Sequence, residues 1–193
     1  MPQPLRRAGA PIDWSIHAVA NHPVLTSGVG ACITAFALTE ALMGVFLAMI
    51  RWENAPQAIE MWAGKRTTRE KLKLVNAEAH LTGDGYPKLA VFVLDAFTSL
   101  SKKRSNVAHG FFGIITDREN QFAWRKGSSA AKRMAAGLSS SSMQASPRPP
   151  TWIYTPKDFS ELAQGCADTF QKIETALEIL PIVHGFSDDR IEG

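Results

Sequence analysis

Apolar residues recur at helical spacing through most of this chain. The pattern predicts four helical regions, at 28–50, 56–81, 87–107 and 156–180, and a break at Gly64 divides the second region into two helices. The fourth region is the clearest, because its apolar residues form one continuous stripe. The chain is therefore predicted to be mainly α.

Residues with capping chemistry mark the helix ends. Thr67 and Glu70 have capping-box spacing, and Thr155 and Asp158 repeat that spacing before the last helix. Gly110 is expected to cap the third helix, and Pro181 is expected to end the last one. The buried face of the third helix is predicted to consist of Leu89, Phe92, Val93, Ala96, Phe97 and Leu100.

Between the third and last helices the pattern changes to that of a small β-hairpin. Residues 111–125 predict two strands around a turn at 117–120, and Trp152–Tyr154 predicts a third short strand. The stretch at 127–150, rich in Ser, Ala, Gly and Pro, is interpreted as a flexible insert.

The ends of the chain lack these patterns. Residues 1–23 are interpreted as an irregular arm that packs through Trp14 and Ile16, and 181–193 as a loose tail. Residues 24–180 are expected to form a single helical domain that includes the hairpin and the insert.

Composition and charge add little to this picture. The net charge of +3 is too small to argue by itself for a nucleic-acid partner. Cys32 and Cys166 have no metal-binding spacing and are interpreted as buried thiols in a reducing, cytoplasmic compartment. Phosphate-binding loops, dinucleotide fingerprints and zinc motifs are absent, so no metal and no cofactor is expected.

The first helical region is long and apolar enough to cross a membrane, and Glu40 is its one charged residue. A charge near the middle of a membrane span is costly, and the region is rich in Ala, Gly and Thr. These features favour a helix buried in a bundle or a dimer interface over a membrane anchor.

The segment from Ser101 to Gly110 combines cations, an amide and an imidazole at a helix end. Arg104 can hold a phosphate through a planar fork of donors, and His109 can transfer a proton near neutral pH. Together they are sufficient for RNA cleavage without a metal, in which the ribose 2′-OH attacks the adjacent phosphorus. The alternative interpretation is that these residues only complement the helix C-terminus.

The spacing of the two residues raises a geometric difficulty. Five residues of regular helix rotate by about 140°, so Arg104 and His109 would not share a face. The arginine must curl round, the helix must unwind near Ala108, or two copies of the chain must line one groove. Arg104 also continues the apolar stripe, so it should have a partner, and Glu40 is the candidate.

Arg104-Ser-Asn-Val-Ala-His109-Gly110 resembles the Arg-x4–6-His motif of HEPN-domain proteins, in its Arg-Asn-x-x-Ala-His-Gly form. The apolar first helix with Thr39-Glu40 is similar to the first helix of that family, and the hairpin after His-Gly resembles a bacterial subgroup. The resemblance covers 28–126 and 152–180. Ser105 stands where the family usually has a polar residue of longer reach, and the Asn follows at Asn106.

The resemblance implies a helical bundle, commonly a homodimer, and a metal-independent endoribonuclease of toxin or defence type. Arg104 would hold the scissile phosphate, His109 would move the proton, and Asn106 with Ser105 would orient the site. The residues expected to bind RNA are Lys102, Lys103, Arg125 and Lys126. An antitoxin protein is a further expected partner. The alternatives are a non-catalytic module that binds RNA or protein and a single-span membrane protein.

Overall fold

The computed structural model describes residues 2–5, 11–83, 85–127 and 150–183. Most of the predicted insert and tail therefore lies outside the described residues. The described part is mainly helical with one small antiparallel sheet, which confirms the predicted fold class. It divides into two compact units: the sheet unit, Met1–Ile33 with Lys103–Ala163, and the helical unit, Thr34–Lys102 with Gln164–Gly193.

Apart from the short helix at Ile16–Ala20, which lies in the predicted arm, the described helices follow the predicted regions. They are α1 Ile16–Ala20, α2 Pro23–Ile50, α3 Ala55–Ala63, α4 Thr68–Thr82, α5 Tyr86–His109 and α6 Pro156–Val183, with a 3₁₀ turn at Trp52–Asn54. The predicted break at Gly64 is confirmed, since Gly64 follows the last residue of α3. The prediction that Pro181 ends α6 is wrong: it lies inside the helix, so close to its end that its missing N–H removes only one late hydrogen bond.

The predicted capping box of α4 forms in full, whereas the one at α6 forms in part. The Thr67 hydroxyl accepts from the Glu70 N–H at 3.2 Å, and the Glu70 carboxylate accepts from the Thr67 N–H at 2.9 Å. The Thr67 hydroxyl also donates to the Glu70 carboxylate at 2.9 Å, and this bond, followed by that from the Thr67 N–H, holds the pKa of Glu70 below its ordinary value. At α6 the Asp158 carboxylate accepts from the N–H of Thr155 at 2.9 Å and from its hydroxyl at 2.8 Å.

The sheet contains more strands than the sequence predicts. Its strands are β1 Gln3–Pro4, β2 Ile12–Asp13, β3 Gly110–Ile115, β4 Phe122–Lys126 and β5 Trp152–Tyr154, in the order β1-β5-β4-β3-β2 with every pair antiparallel. The hairpin and the third strand are confirmed. The prediction of an irregular N-terminal arm is wrong, because the arm supplies both edge strands. Strands of two residues are too short to show a periodic pattern.

The core of each unit is built around aromatic rings. In the sheet unit, Phe159 of α6 lies 5.6 Å from Tyr154 and 5.8 Å from Phe112, measured between ring centres. In the helical unit, Phe36 and Phe97 are 5.3 Å apart. Both cysteines are buried and free, as predicted, and burial raises the pKa of the Cys166 thiol to about 11.

Two predicted core residues are instead exposed. Ile16 is 78% exposed and Phe92 is 47% exposed. Trp14 does pack, against Gly113 and Arg125 on the sheet. On α5 the buried face is rotated to include Ala90, so Phe92 falls outside it.

Within the described residues, α2 is the single helix whose length and apolar composition would allow it to cross a membrane. Of its most apolar stretch, 39% is buried inside the protein. A core helix of a soluble protein passes the same test, so this finding is weak evidence for a membrane span.

Candidate functional site

The C-terminal end of α5 is a regular helix up to His109, and β3 begins at the next residue. Unwinding near Ala108, one of the three alternatives for bringing Arg104 and His109 together, is therefore not observed. The junction is closed by Trp124 of β4, whose indole Nε1 donates to the carbonyl of Asn106 at 2.9 Å. This bond satisfies one of the carbonyls that every helix leaves unpaired at its C-terminus.

Gly110 serves this junction in a way that differs from the prediction. Among the described glycines, Gly83 is the one with positive φ, so Gly110 is not a left-handed helix cap. A Cβ added at Gly110 would instead overlap the Trp124 indole. A glycine is needed here because the ring that caps α5 occupies the space of a side chain.

The structure separates the predicted catalytic residues into two groups. Ser105, Asn106 and His109 are exposed, and their spacing places them on one side of α5. Arg104 is half-buried and, because the helix is regular, its direction differs from that of His109 by about 140°. Helix geometry within one chain thus groups the imidazole with the polar residues rather than with the arginine.

Glu40, the expected partner of Arg104, has another partner. Its carboxylate accepts from the Lys71 ammonium at 3.0 Å, within the helical unit. Lys71 could not be identified from the sequence as this partner, because it lies on another helix and no local pattern connects it with Glu40. The pairing of Glu40 with Arg104 remains a prediction.

The four residues expected to bind RNA differ in their surroundings. Lys102 and Lys103 are exposed on α5, and Lys126 is exposed on β4. Arg125 points to the opposite face of the sheet, where it donates to the Thr151 hydroxyl at 2.9 Å and lies 4.5 Å above the Trp14 ring. These contacts give Arg125 a role in attaching the N-terminal arm.

A cavity of about 510 Å³ opens beside the end of α5, entirely within the sheet unit. Three aromatic residues form much of its lining: Trp124, Trp152 and Tyr154. Trp124 and Trp152 are direct cross-strand partners, so their side chains project from the same face of the sheet. Pockets for small molecules in proteins typically have this size and this largely apolar lining.

Charged and polar side chains complete the lining. Lys103 and Asn106 come from α5, Lys126 from β4, and Asp158 and Glu161 from α6. The Asp158 carboxylate accepts from the N–H and the hydroxyl of Thr155 at the start of α6. The Glu161 carboxylate lies 3.8 Å from the Lys157 ammonium. Burial, followed by the charge of Asp158, raises the pKa of Tyr154 to about 12, so its hydroxyl remains protonated in neutral solution.

Sequence patterns pointed to Lys103, Asn106 and Lys126 but not to the aromatic residues that line the cavity beside them. The available signal was the alternation of Trp124 with Lys126 on the predicted hairpin, and of Trp152 with Tyr154 on the predicted third strand. No cluster of three or more potential metal ligands is found among the described residues.

Comparisons with known proteins add no identity. No family model, no curated protein and no solved structure matches the chain. The HEPN resemblance therefore rests on the residues quoted for it.

Proposed function

We propose that this protein is a cytoplasmic, metal-independent endoribonuclease that acts as a homodimer. The observation that supports the proposal is the exposed group of Ser105, Asn106 and His109 at the end of α5, in the same unit as the exposed cations Lys103 and Lys126. This group offers a proton-transfer residue, hydrogen-bonding partners and cationic phosphate contacts on an accessible surface.

In the proposed reaction the 2′-oxygen of the ribose attacks the adjacent phosphorus and loses its proton. The bond from phosphorus to the 5′-oxygen breaks, and that oxygen receives a proton, leaving a 2′,3′-cyclic phosphate. His109 performs one of these proton transfers, and Asn106 with Ser105 orients a phosphate oxygen. Arg104 holds the phosphate and offsets the charge that gathers on it.

A homodimer accounts for the separation of Arg104 from His109, since Arg104 of one copy and His109 of the other can line one groove. A stripe of exposed residues without charge supports such an interface. Thr34, Leu38, Ala41 and Val45 recur with a spacing of three and four along α2, and Leu38 is 59% exposed. Exposed apolar stripes of this kind are commonly covered by a partner.

The test is an RNA-cleavage assay with EDTA present, using wild type, Arg104→Ala and His109→Ala. Arg69→Ala and His80→Ala are matched controls, because both residues are exposed on α4. We expect both α5 variants to lose activity by at least about 100-fold while both controls cut normally. Products should carry cyclic-phosphate ends.

Mixing the two inactive variants tests whether the site is shared between copies. If the site combines Arg104 of one copy with His109 of the other, remixed subunits recover about a quarter of wild-type activity, because half the dimers are mixed and each has one intact site. No recovery from confirmed mixed dimers would contradict a shared site. Absence of cutting by folded, dimeric wild type would contradict the endoribonuclease itself.

The second candidate is a non-catalytic RNA-binding module, which is favoured by the half-buried position of Arg104. Such a module keeps its RNA affinity in His109→Ala and loses it when Lys102, Lys103 and Arg104 are neutralised together. Protein that stays with the membrane pellet until detergent is added would instead favour the single-span alternative for α2.

A further inference from the structure

Aromatic rings and charged side chains line the cavity beside α5, and few classes of ligand match both. Trp124 is 7% exposed and Tyr154 is 6% exposed, whereas Trp152 is half-buried, so the rings form an apolar floor with one indole more open to solvent. Indole rings provide a stacking surface for flat aromatic groups, and nucleic-acid bases use such surfaces regardless of their sequence.

The lining has two lysines and two carboxylates, and the lysines are the charges open to an anion. Among the described residues, Lys103 and Lys126 form no ion pair, and both are exposed at the cavity. The two acidic residues are already engaged: Asp158 caps α6 through Thr155, and Glu161 is near Lys157. The cations that remain available match the charge of a phosphate.

The polar edge of the cavity adds donors and acceptors. Asn106 offers its side-chain amide at the lining, because the bond from Trp124 uses only the backbone carbonyl of that residue. An amide can donate to and accept from the edge of a base. The size of the cavity, about 510 Å³, lies within the range of pockets that hold a small ligand.

We propose that this cavity binds one nucleotide, with its base stacked on the aromatic floor and its phosphate held by Lys103 and Lys126. The nucleotide is either free or part of an RNA strand. Binding of a free nucleotide is independent of the proposed function, whereas binding of a nucleotide within an RNA strand rests on it. If the ligand is RNA, the cavity anchors one nucleotide of the strand that contacts the exposed face of α5.

The experiment is calorimetric titration of the whole protein with adenosine 5′-monophosphate, adenosine, inorganic phosphate and an eight-nucleotide 2′-O-methyl RNA that cannot be cleaved. The variants are Lys126→Ala, Lys103→Ala and Trp152→Leu. Lys88→Ala is the matched control, since Lys88 is exposed on α5 and does not line the cavity. The monophosphate should bind more tightly than adenosine or phosphate.

Each lysine variant should weaken the monophosphate roughly 5-fold and leave adenosine unchanged. Trp152→Leu should weaken both ligands by about 10- to 100-fold, through loss of stacking. Lys88→Ala should change neither. Because Trp152 belongs to β5 and its replacement can affect folding, the two exposed lysines provide an independent test.

The outcomes separate this proposal from the endoribonuclease. Monophosphate binding that is weakened by Lys126→Ala, in a protein that cuts no RNA and does not bind the eight-nucleotide strand, supports the cavity with a free nucleotide and contradicts the proposed function. RNA cleavage by a protein that binds no monophosphate overturns the cavity proposal alone. Monophosphate binding that is insensitive to both lysine variants also overturns it.

Discussion

In the helical unit two ion pairs join partly buried side chains, whereas in the sheet unit two exposed lysines face a cavity. Arg51 donates to the Glu78 carboxylate and Lys71 donates to Glu40, so the fold itself uses these charges. Lys103 and Lys126 have no ion pair within the described residues. The difference indicates where charge maintains the structure and where it is available to a ligand.

Arg125 is an exception among the cations of the sheet unit. Its guanidinium lies above the Trp14 ring and donates to the Thr151 hydroxyl, and these contacts attach the N-terminal arm to the sheet. Neighbouring residues of β4 point to opposite faces, so Arg125 and Lys126 have different roles despite their adjacency. The contrast therefore concerns the cavity face of the sheet and not the whole unit.

The largest expected effect concerns the junction behind the cavity. Gly110→Ala places a methyl group in the space of the Trp124 indole, so the ring must move and its hydrogen bond to Asn106 is lost. We expect the free energy of unfolding to fall by about 3 kcal/mol or more, from overpacking and an unsatisfied carbonyl. Urea unfolding followed by tryptophan fluorescence measures it.

Gly30→Ala is the matched control, because Gly30 is exposed on α2 and an added Cβ there meets no atom within 4 Å. Alanine should raise the stability of that helix by about 0.5–1 kcal/mol. Equal effects of the two substitutions would contradict the role given to the Trp124 indole.

The next effect tests whether the helical unit depends on its ion pairs. Glu78 is only 8% exposed, so Arg51→Ala leaves a largely buried carboxylate without its guanidinium. We expect a loss of about 2 kcal/mol in the free energy of unfolding. Lys157→Ala, which breaks the exposed pair with Glu161, should change it by less than about 0.5 kcal/mol. A loss below that limit for Arg51→Ala would remove the contrast between the units.

The pH dependence of stability probes the aromatic floor of the cavity. The pKa of Tyr154 is raised to about 12 in the folded protein, from 10 as its ordinary value. The folded state therefore keeps the proton more tightly, so stability falls as pH rises from 10 to about 12. The loss should reach about 2 kcal/mol.

Tyr154→Phe removes the ionisable group and should flatten this part of the profile. Urea unfolding at several pH values between 9 and 12 measures both proteins. Burial also raises the pKa of Cys166, to about 11, so the variant should retain a smaller decline. Identical profiles for the two proteins would show that the phenol is not shielded as the structure indicates.

Local patterns predicted the helices and their caps, because the relevant contacts span only a few residues. Thr67 with Glu70 and Thr155 with Asp158 could be recognised from spacing alone. The first pair forms both expected bonds, and in the second the Asp158 carboxylate accepts from the Thr155 N–H as expected. The hairpin and the third strand were predictable for the same reason. Features that depend on distant partners were not.

Gly110 and Lys71 show why the remaining features were missed. A glycine after a helix usually indicates a left-handed cap, and only the fold reveals that Trp124 occupies the space beside it. The Lys71 ammonium bonds to the Glu40 carboxylate although the two residues are 31 positions apart in the chain, so only the fold brings them together. The edge strands contain two residues each, and the sheet that defines them exists only in the folded protein.

The smallest expected effect is the most direct test of the cavity lysines. If Lys103 and Lys126 serve a ligand and not the fold, replacing each by alanine should change the free energy of unfolding by less than about 0.5 kcal/mol without ligand. Lys71→Ala should cost about 1 kcal/mol or more, because its ammonium is bonded to Glu40 and lies 4.9 Å from the Trp62 ring. Urea unfolding of the three variants in one buffer makes the comparison. If either cavity lysine variant lowers the free energy of unfolding by more than about 1 kcal/mol, that lysine stabilises the fold as Lys71 does. It would then not be a cation held in reserve for a ligand.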